Sequence, residues 1–199
     1  MDVSVLDAVY LHWFGDLKAW DDMPDEARRQ AWFRPSAEAD AYIRDSWGRD
    51  VEAARDTAWD LATLTRRQQV ALIVLLDQFP RQIHRESATA FACDPIARAL
   101  SRQLIVYWRR FFVAEQAFVI LPFEHGEDIA DQDLSVALFA ARTVEAPASH
   151  AESCRDQLDY ATRHRDIIRK FGRFPHRNAV LGRESTEDEL AFLKKGRGF

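Results

Sequence analysis

The chain has 199 residues and a formal net charge of -5 at pH 7, with a mass of 23.0 kDa. Hydrophobic residues make up 47% and charged residues 30%, and only seven Gly and seven Pro are present, which excludes a disordered or loop-rich chain. Because the net charge is acidic, neither nucleic acid nor an anionic membrane is expected as a partner.

The length suits a single domain spanning residues 1–199. Cys93 and Cys154 match no metal or redox spacing, so free thiols are expected, and a disulfide between them is the open alternative. No cofactor is expected, because the chain has no glycine-rich phosphate loop. The N-terminus lacks the basic start and apolar segment of a signal peptide, which favours a cytoplasmic location.

Apolar residues recur every three or four positions, and the alternating pattern of strands is missing, so the sequence predicts an all-α fold. We expect eight or nine helices in stacked antiparallel hairpins. In the first half, start and stop signals predict helices from about Leu6 to Gly15, Pro24 to Phe33, Ser36 to Trp47, Asp50 to Leu61 and Gln69 to Phe79. Thr65 and Gln68 form a capping-box pattern before the last of these, and Pro80 should stop it.

In the second half, the corresponding signals predict helices from about Asp94 to Trp108, Val113 to Leu121, Ile129 to Ala141, Ser149 to Phe171, and a short one from Thr186. Asp94 is expected to cap the first of these, and Pro122 to lie in the connection between the next two. Gly172 should be the C-cap of the longest helix, and Thr186 with Glu189 forms a second capping box.

One carboxylate is out of place in the apolar pattern. Asp77 shares a helix face with Val70 and Ile73, so it should point into the core, where a charged group needs partners. Arg81 is one helical turn away and is the expected partner. A structural ion pair at a helix end and a functional site are both open interpretations.

Two histidines also follow apolar stripes. His125 continues the stripe of Phe118 and Leu121, beside the acidic residues Glu124, Glu127, Asp128 and Asp131. His164 lies on the apolar side of the longest helix, and it is either a satisfied core residue or a proton-transfer or ligand-binding group. Because carboxylates so close together repel, a cation is expected among them.

That cation is expected from the segment FGRFPHRN, residues 171–178. Residues 163–183 contain seven Arg or Lys and one acid, whereas residues 124–133 contain five acids and no Arg or Lys. We predict that Arg173 and Arg177 pair with mid-chain carboxylates such as Glu124, Glu127 or Asp77. The alternative is an anion site formed by Arg173, His176, Arg177 and Asn178. No metal is expected, because no HExxH or similar pattern fixes a ligand geometry.

Five stretches carry a resemblance to a known family: LLDQFPR at 75–81, LPFEHGED at 121–128, HRD at 164–166, FGRFPHRN at 171–178 and LGREST at 181–186. Over nearly its whole length the chain resembles the bacterial family called domain of unknown function 924. The resemblance implies an all-α fold of the tetratricopeptide-like helical superfamily and supplies no activity. Gly126 stands where the family is expected to have a small hydroxyl residue, and Gln82 and His84 where it has Asn and Phe.

Two functional hypotheses follow from these patterns. The first is a scaffold that binds a protein or peptide in an aromatic-lined groove and contains a buried, fully paired polar cluster. The alternative is an enzyme or small-anion-binding protein that uses the same cluster in a cleft. The candidate catalytic residues are Asp77, His125 and His164, and the candidate ligand-binding residues are Arg81, Glu124, Asp128, Arg173, His176, Arg177 and Asn178.

Overall fold

The computed structural model describes residues 1–196, which are helical with connecting loops and contain no strand. Its α-helices are α1 (Ser4–Phe14), α2 (Glu26–Phe33), α3 (Ala37–Arg55), α4 (Arg66–Ile73), α5 (Phe79–Ile83), α6 (Asp94–Leu104), α7 (Val113–Glu124), α8 (Ile129–Glu145), α9 (Ala151–Phe171) and α10 (Glu187–Lys194). The prediction of an all-α fold is therefore confirmed. The tetratricopeptide-like stacking of hairpins stays a prediction.

The core lies where α4, α5 and α7 are covered by the remaining helices. α1 packs on α4, α3 on α5, α6 and α8 on α7, and α9 on α8. Every side chain of α7 is buried, and α4 buries the continuous run Gln69–Ile73. These two helices therefore form the centre of the fold, and the polar groups at their ends are also removed from water.

Several start and stop signals are confirmed. Thr65 with Gln68 and Thr186 with Glu189 both form complete capping boxes. Gly172 ends α9 in the left-handed conformation at φ 69°, which an L side chain adopts only with strain. The predicted break before Asp50 is wrong, because α3 continues to Arg55 and buries one unbroken apolar stripe. That stripe comprises Ile43, Trp47, Val51 and Ala54.

The prediction that Pro80 stops a helix is wrong. The helix continues from α4 through a π turn (Val74–Gln78) into α5, which contains Pro80 in its first turn. The π turn accommodates the proline, since Phe79 N–H donates to Val74 O, one residue further back than in an α-helix. Asp77 lies inside this turn and is fully buried.

Two other predictions about proline and capping residues are also wrong. Pro122 lies inside α7 rather than in a connection. Gln132 Nε2 lies within hydrogen-bonding distance of the carbonyl oxygens of Phe123, Glu124 and Gly126, so the carbonyl groups at this helix end are satisfied. Asp94 is the first residue of α6 rather than its cap, and its carboxylate binds arginine instead.

Most of the N-terminal aromatic residues belong to the core. Trp13 and Phe14 pack edge-on against Phe118 at ring distances of 5.5 and 5.3 Å, and Trp32 of α2 contacts the same ring at 4.8 Å. Both cysteines are buried free thiols, as expected. Across residues 1–196, no helix is long and apolar enough to span a bilayer.

Candidate functional site

A cleft of about 550 Å³ opens between α2, α5, α7, α8 and α9. Its apolar wall consists of Trp32, Phe33, Ala117, Leu121 and Phe139. Its polar residues are Arg29, Gln78, Arg81, Gln82, Arg85, Glu124, His125, Ser153, Asp156, Gln157, Tyr160 and His164. A cavity of this size, apolar along one side with polar groups converging on the other, is typical of a small-molecule site.

Asp77 and His125 form a hydrogen-bonded pair at the cleft. Asp77 Oδ1 lies 2.9 Å from His125 Nδ1, and Gln78 Nε2 donates to the other carboxylate oxygen at 2.6 Å. Burial raises the pKa of Asp77, but His125 and Arg81 outweigh it, so that the pKa is about 2. Burial and Arg81 lower the pKa of His125. At neutral pH an aspartate therefore accepts a hydrogen bond from a neutral imidazole.

Two arginines and Asp94 continue this network away from the cleft. Arg81 Nη1 donates to the carbonyl oxygen of Asp77 at 2.5 Å, and the guanidinium binds both oxygens of Asp94 at 2.9 and 3.0 Å. Arg177 lies 3.6 Å from Asp94 and between the rings of Phe91 and Phe174, at 4.4 and 4.6 Å. Desolvation lowers the pKa of Arg177 to about 10. The negative charges of Asp77 and Asp94 therefore balance the positive charges of Arg81 and Arg177 in this buried region.

Glu124 and His164 form a second pair, 3.1 Å apart between Oε1 and Nδ1. Burial, assisted by the negative charge of Asp77, raises the pKa of Glu124 to about 8. Burial lowers the pKa of His164 to about 3, and its Nδ1–H donates to the carbonyl oxygen of Tyr160 at 2.9 Å. This contact is therefore between a carboxylic acid and a neutral imidazole at neutral pH, rather than an ion pair.

The two pairs place a proton acceptor and a proton donor at one cleft. Because Asp77 uses Nδ1 of His125, the proton-free nitrogen of that neutral ring is Nε2, and the side chain keeps 14% exposure on the cleft. Glu124 precedes His125 directly and retains its proton at pH 7. A neutral imidazole and a protonated carboxyl group are suited to general base and general acid chemistry, respectively.

The structure brings together Asp77, Arg81, Glu124, His125 and His164 of the predicted site, with Arg177 behind them through Asp94. His176 is partly buried, with its ring 5.5 Å from that of Phe174, and burial lowers its pKa to about 4. Asp128 is not in this cluster, because its carboxylate caps α8 by accepting from Ala130 N and Asp131 N. That carboxylate is already engaged by its own helix.

The predicted role of Arg173 is also wrong. Its guanidinium binds Glu189 of α10 at 2.7 and 2.9 Å instead of a mid-chain carboxylate. Asn178 donates to Ser185 and to the same Glu189. The C-terminal segment nevertheless contacts the acidic turn, because Glu127 accepts from Phe174 N at 2.8 Å and from both terminal nitrogens of Arg183.

Sequence patterns did not identify several residues of the cleft. In the cleft, Arg29 and Arg85 are indistinguishable from surface residues. Behind the cleft, Asp94 resembled a helix cap because Pro95 follows it. Gln82 is 7% exposed, and within residues 1–196 its Oε1 is buried without a hydrogen-bond partner. In the same range, no group of three His, Cys, Asp or Glu side chains has a geometry that could hold a metal ion.

Comparisons with known proteins agree with this architecture. A solved structure described as a protein of unknown function, ATU0120 from Agrobacterium tumefaciens, superposes with a TM-score of 0.73 at 29% identity. The alignment covers 98% of this chain and 100% of the other. No curated protein matches the sequence. The family described as "Bacterial protein of unknown function (DUF924)" matches residues 9–197, so the chain belongs to that family.

Proposed function

We propose that the protein is an enzyme that binds a small molecule in the cleft and moves protons on it, with His125 as general base and Glu124 as general acid. The observation that carries the proposal is the 2.9 Å contact between Asp77 and His125 on a cleft that Glu124 also lines. An ionised aspartate that fixes the tautomer of a histidine is the usual way in which an imidazole base is oriented.

The protonation states favour one class of reaction. His125 Nε2 takes one proton from the substrate, and Glu124 gives one proton to a different atom of it, so the substrate keeps its composition. This is a proton-transfer isomerisation. The catalytic groups return to their starting states when His125 releases its proton and Glu124 regains one, with solvent as the carrier. No oxidant, reductant or covalent intermediate is required.

The cleft also contains a polar atom that a ligand could satisfy. Gln82 Oε1 is a buried acceptor on the cleft wall without a protein donor among the described residues. A buried acceptor without a donor is costly, so a hydroxyl or amide hydrogen on a ligand would be favourable there. The apolar wall, with Trp32 and Phe139, suits a compact apolar body beside that group.

The scaffold hypothesis stays a prediction without a supporting observation. Trp13, Phe14 and Trp47 are buried in the core. Trp32 and Phe33 do line the cleft, but nothing in its lining favours a peptide over a small molecule. The cytoplasmic location also stays a prediction. We therefore retain the second of the two original hypotheses, an enzyme with its site in a cleft.

The test is a thermal-shift screen against small metabolites, followed by NMR of each stabilising compound with the protein in deuterium oxide. In deuterium oxide Glu124 carries a deuteron, so an isomerisation in which Glu124 protonates a carbon atom introduces deuterium at that carbon of the substrate. The variant His125→Asn keeps a donor to Asp77 but removes the base, and Glu124→Gln keeps the shape but removes the acidic proton. Both variants should bind the compound, and neither should introduce deuterium into it. Deuterium exchange at the wild-type rate in both variants would refute the proposal.

A further inference from the structure

Arg142 of α8 is a buried cation that forms no ion pair with any of the described residues. It is 2% exposed, and its guanidinium donates to the carbonyl oxygen of Val113 at 2.8 Å and to Gln157 Oε1. Its Nε has no hydrogen-bond partner within the described residues. Both acceptors are neutral, so within residues 1–196 its charge is solvated by two dipoles and balanced by no carboxylate.

This arrangement is unfavourable in the free protein. A guanidinium group stays protonated even when desolvation lowers its pKa, as it does here. Among the described residues, the titratable groups that interact with Arg142 are Cys154 and His150. Burial raises the pKa of the Cys154 thiol and lowers the pKa of His150, so neither supplies a negative charge at pH 7. A buried and uncompensated charge strongly destabilises a fold, so the residue is better explained by a counter-charge that arrives with a ligand.

Gln157 connects Arg142 to the cleft. Its amide oxygen accepts from Arg142 Nη1, and the same side chain lines the cleft on α9. Because the oxygen is held by the arginine, the amide nitrogen is the end that remains for the cleft. Ser153, one turn earlier on the same helix wall, adds a hydroxyl donor. This wall therefore offers N–H and O–H donors in front of an unbalanced positive charge.

The other charges at the cleft are mostly balanced by their own partners. Arg29 pairs with Glu26, Arg85 with Asp40, and Arg81 with Asp94 and Asp77. Glu124 carries a proton at pH 7, and the neighbouring His125 and His164 have lowered pKa values. Asp156 is the acid on the α9 wall, where it is exposed and forms no ion pair with Arg142 within residues 1–196. Arg142, behind this wall, is therefore a cation whose charge no carboxylate matches among residues 1–196.

We propose that the substrate is a small organic acid whose oxyanion group, a carboxylate or a phosphate, binds Gln157 and Ser153 in front of Arg142. This inference rests on the proposed function, because it concerns the ligand of the same cleft. The oxyanion end anchors the molecule at α9, and the apolar body lies along Trp32 and Phe139. The opposite end reaches Glu124 and His125. Arg142 is a positioning residue, since it acts through the amide of Gln157 and through its electric field.

The decisive variant is Gln157→Glu, which places a permanent carboxylate against Arg142. Supplying the missing counter-charge should raise the melting temperature of the free protein by about 3 °C. It should also weaken the binding of an anionic probe by about tenfold, because the site for the oxyanion is now occupied by a protein carboxylate. Gln103→Glu, at an exposed position of α6, adds the same charge elsewhere and is the matched control.

The probes are 3-phenylpropionate, phenyl phosphate and the neutral 3-phenylpropionamide, measured by calorimetry. We expect the wild type and Gln103→Glu to bind at least one anion more tightly than the amide, and Gln157→Glu to lose that preference. Preference for one anion over the other identifies carboxylate or phosphate as the anchored group. If neither anion binds better than the amide, or if the preference survives in Gln157→Glu, the anion site is refuted. A purely structural role for Arg142 would change the melting temperature and leave the preference intact.

The test of the oxyanion site can fail independently of the test of the acid–base roles of His125 and Glu124. His125→Asn and Glu124→Gln leave Arg142, Gln157 and Ser153 in place, so both should keep the preference for the anion. Loss of the preference in Gln157→Glu, together with wild-type deuterium exchange in the His125 and Glu124 variants, would support the oxyanion site and refute the acid–base roles. If the preference survives in Gln157→Glu while the His125 and Glu124 variants lose deuterium exchange, the oxyanion site is refuted and the acid–base roles are supported.

Discussion

Asp77 and His125 are 48 positions apart and are joined by a 2.9 Å hydrogen bond between an internal π turn and a helix end. Asp77 lies in the π turn before Pro80, and His125 is the C-cap residue of α7, three residues after Pro122. In both helices a proline changes the backbone hydrogen bonding next to the polar residue. The irregular geometry therefore occurs where the pair is positioned, as is frequent for π turns at functional sites.

Replacing Asp77 by Asn should strongly destabilise the protein. The amide keeps the shape but removes the charge that Arg81 and His125 face in a fully buried position. Breaking one side of a buried ion pair costs about 3–5 kcal/mol in the free energy of unfolding, measurable by urea denaturation. The pKa of His125, followed by NMR, should fall further because Asp77 raises it in the wild type.

Asp159→Asn is the control for this variant. Asp159 pairs with Arg163 on the exposed side of α9, so its replacement should change the free energy of unfolding by less than about 0.5 kcal/mol. Equal stabilities of Asp77→Asn and Asp159→Asn would contradict the assignment of a buried, charge-dependent pair.

The sequence allowed part of this site to be predicted, for identifiable reasons. Asp77 and His164 could be recognised because each interrupts an apolar stripe at helical spacing. The π turn could not, because a proline after an apolar helix usually marks its end. Gln157 could not be connected to Arg142, because a polar residue on a half-exposed helix face gives no sign of what lies behind it.

Glu124 should make stability depend on pH in a defined direction. Its pKa is about 8 in the folded protein against an ordinary value of 4.5, so the folded state retains a proton that the unfolded state releases between these values. The stability associated with this proton is fully present below about pH 4.5 and is lost as the pH rises through about 8. Glu124→Gln keeps a neutral side chain at every pH, so it should gain stability relative to the wild type across that window.

The free energy of unfolding of the wild type and of Glu124→Gln is measured by urea titration at about pH 5, 6, 7 and 8. These values cover the range between the unfolded and folded pKa of Glu124. Taking the difference between variant and wild type removes the contributions of histidines that titrate in both. Glu184→Gln, at an exposed position, should follow the wild type at every pH. A constant difference between Glu124→Gln and the wild type would show that Glu124 ionises normally.

Glu127 and Arg183 should be energetically coupled, because they attach the C-terminal segment to the acidic turn. The carboxylate accepts two bonds from Arg183, at 2.6 and 2.9 Å, and one from the backbone of Phe174. Glu127→Ala should cost more than Arg183→Ala, because it also leaves the N–H of the buried Phe174 unpaired. A double-mutant cycle by urea denaturation should give a coupling of about 1–2 kcal/mol, and additive effects would contradict the contact.

The choice of arginine partners is a second limit of sequence-based prediction. Charge complementarity between residues 163–183 and 124–133 correctly predicted that these segments meet, but Arg173 and Arg183 are chemically identical candidates for Glu127. Their partners are decided by the turn after Gly172, which directs Arg173 towards α10 and lets Arg183 return to Glu127. Such a turn depends on tertiary packing and has no local pattern of its own.

Arg173→Ala should therefore act on α10 and not on the cleft. Arg173 donates two bonds to Glu189, the residue that also completes the capping box with Thr186, and it holds the pKa of Glu189 at about 2. Without the arginine the first turn of α10 loses a two-bond attachment to the segment after α9, so amide hydrogen exchange should accelerate across Glu187–Lys194. The melting-temperature shift produced by a compound that binds the cleft should be the same as in the wild type, because neither Arg173 nor Glu189 is among the described residues that line the cleft. A smaller ligand-induced shift, with hydrogen exchange in α10 unchanged, would instead assign Arg173 to the ligand site.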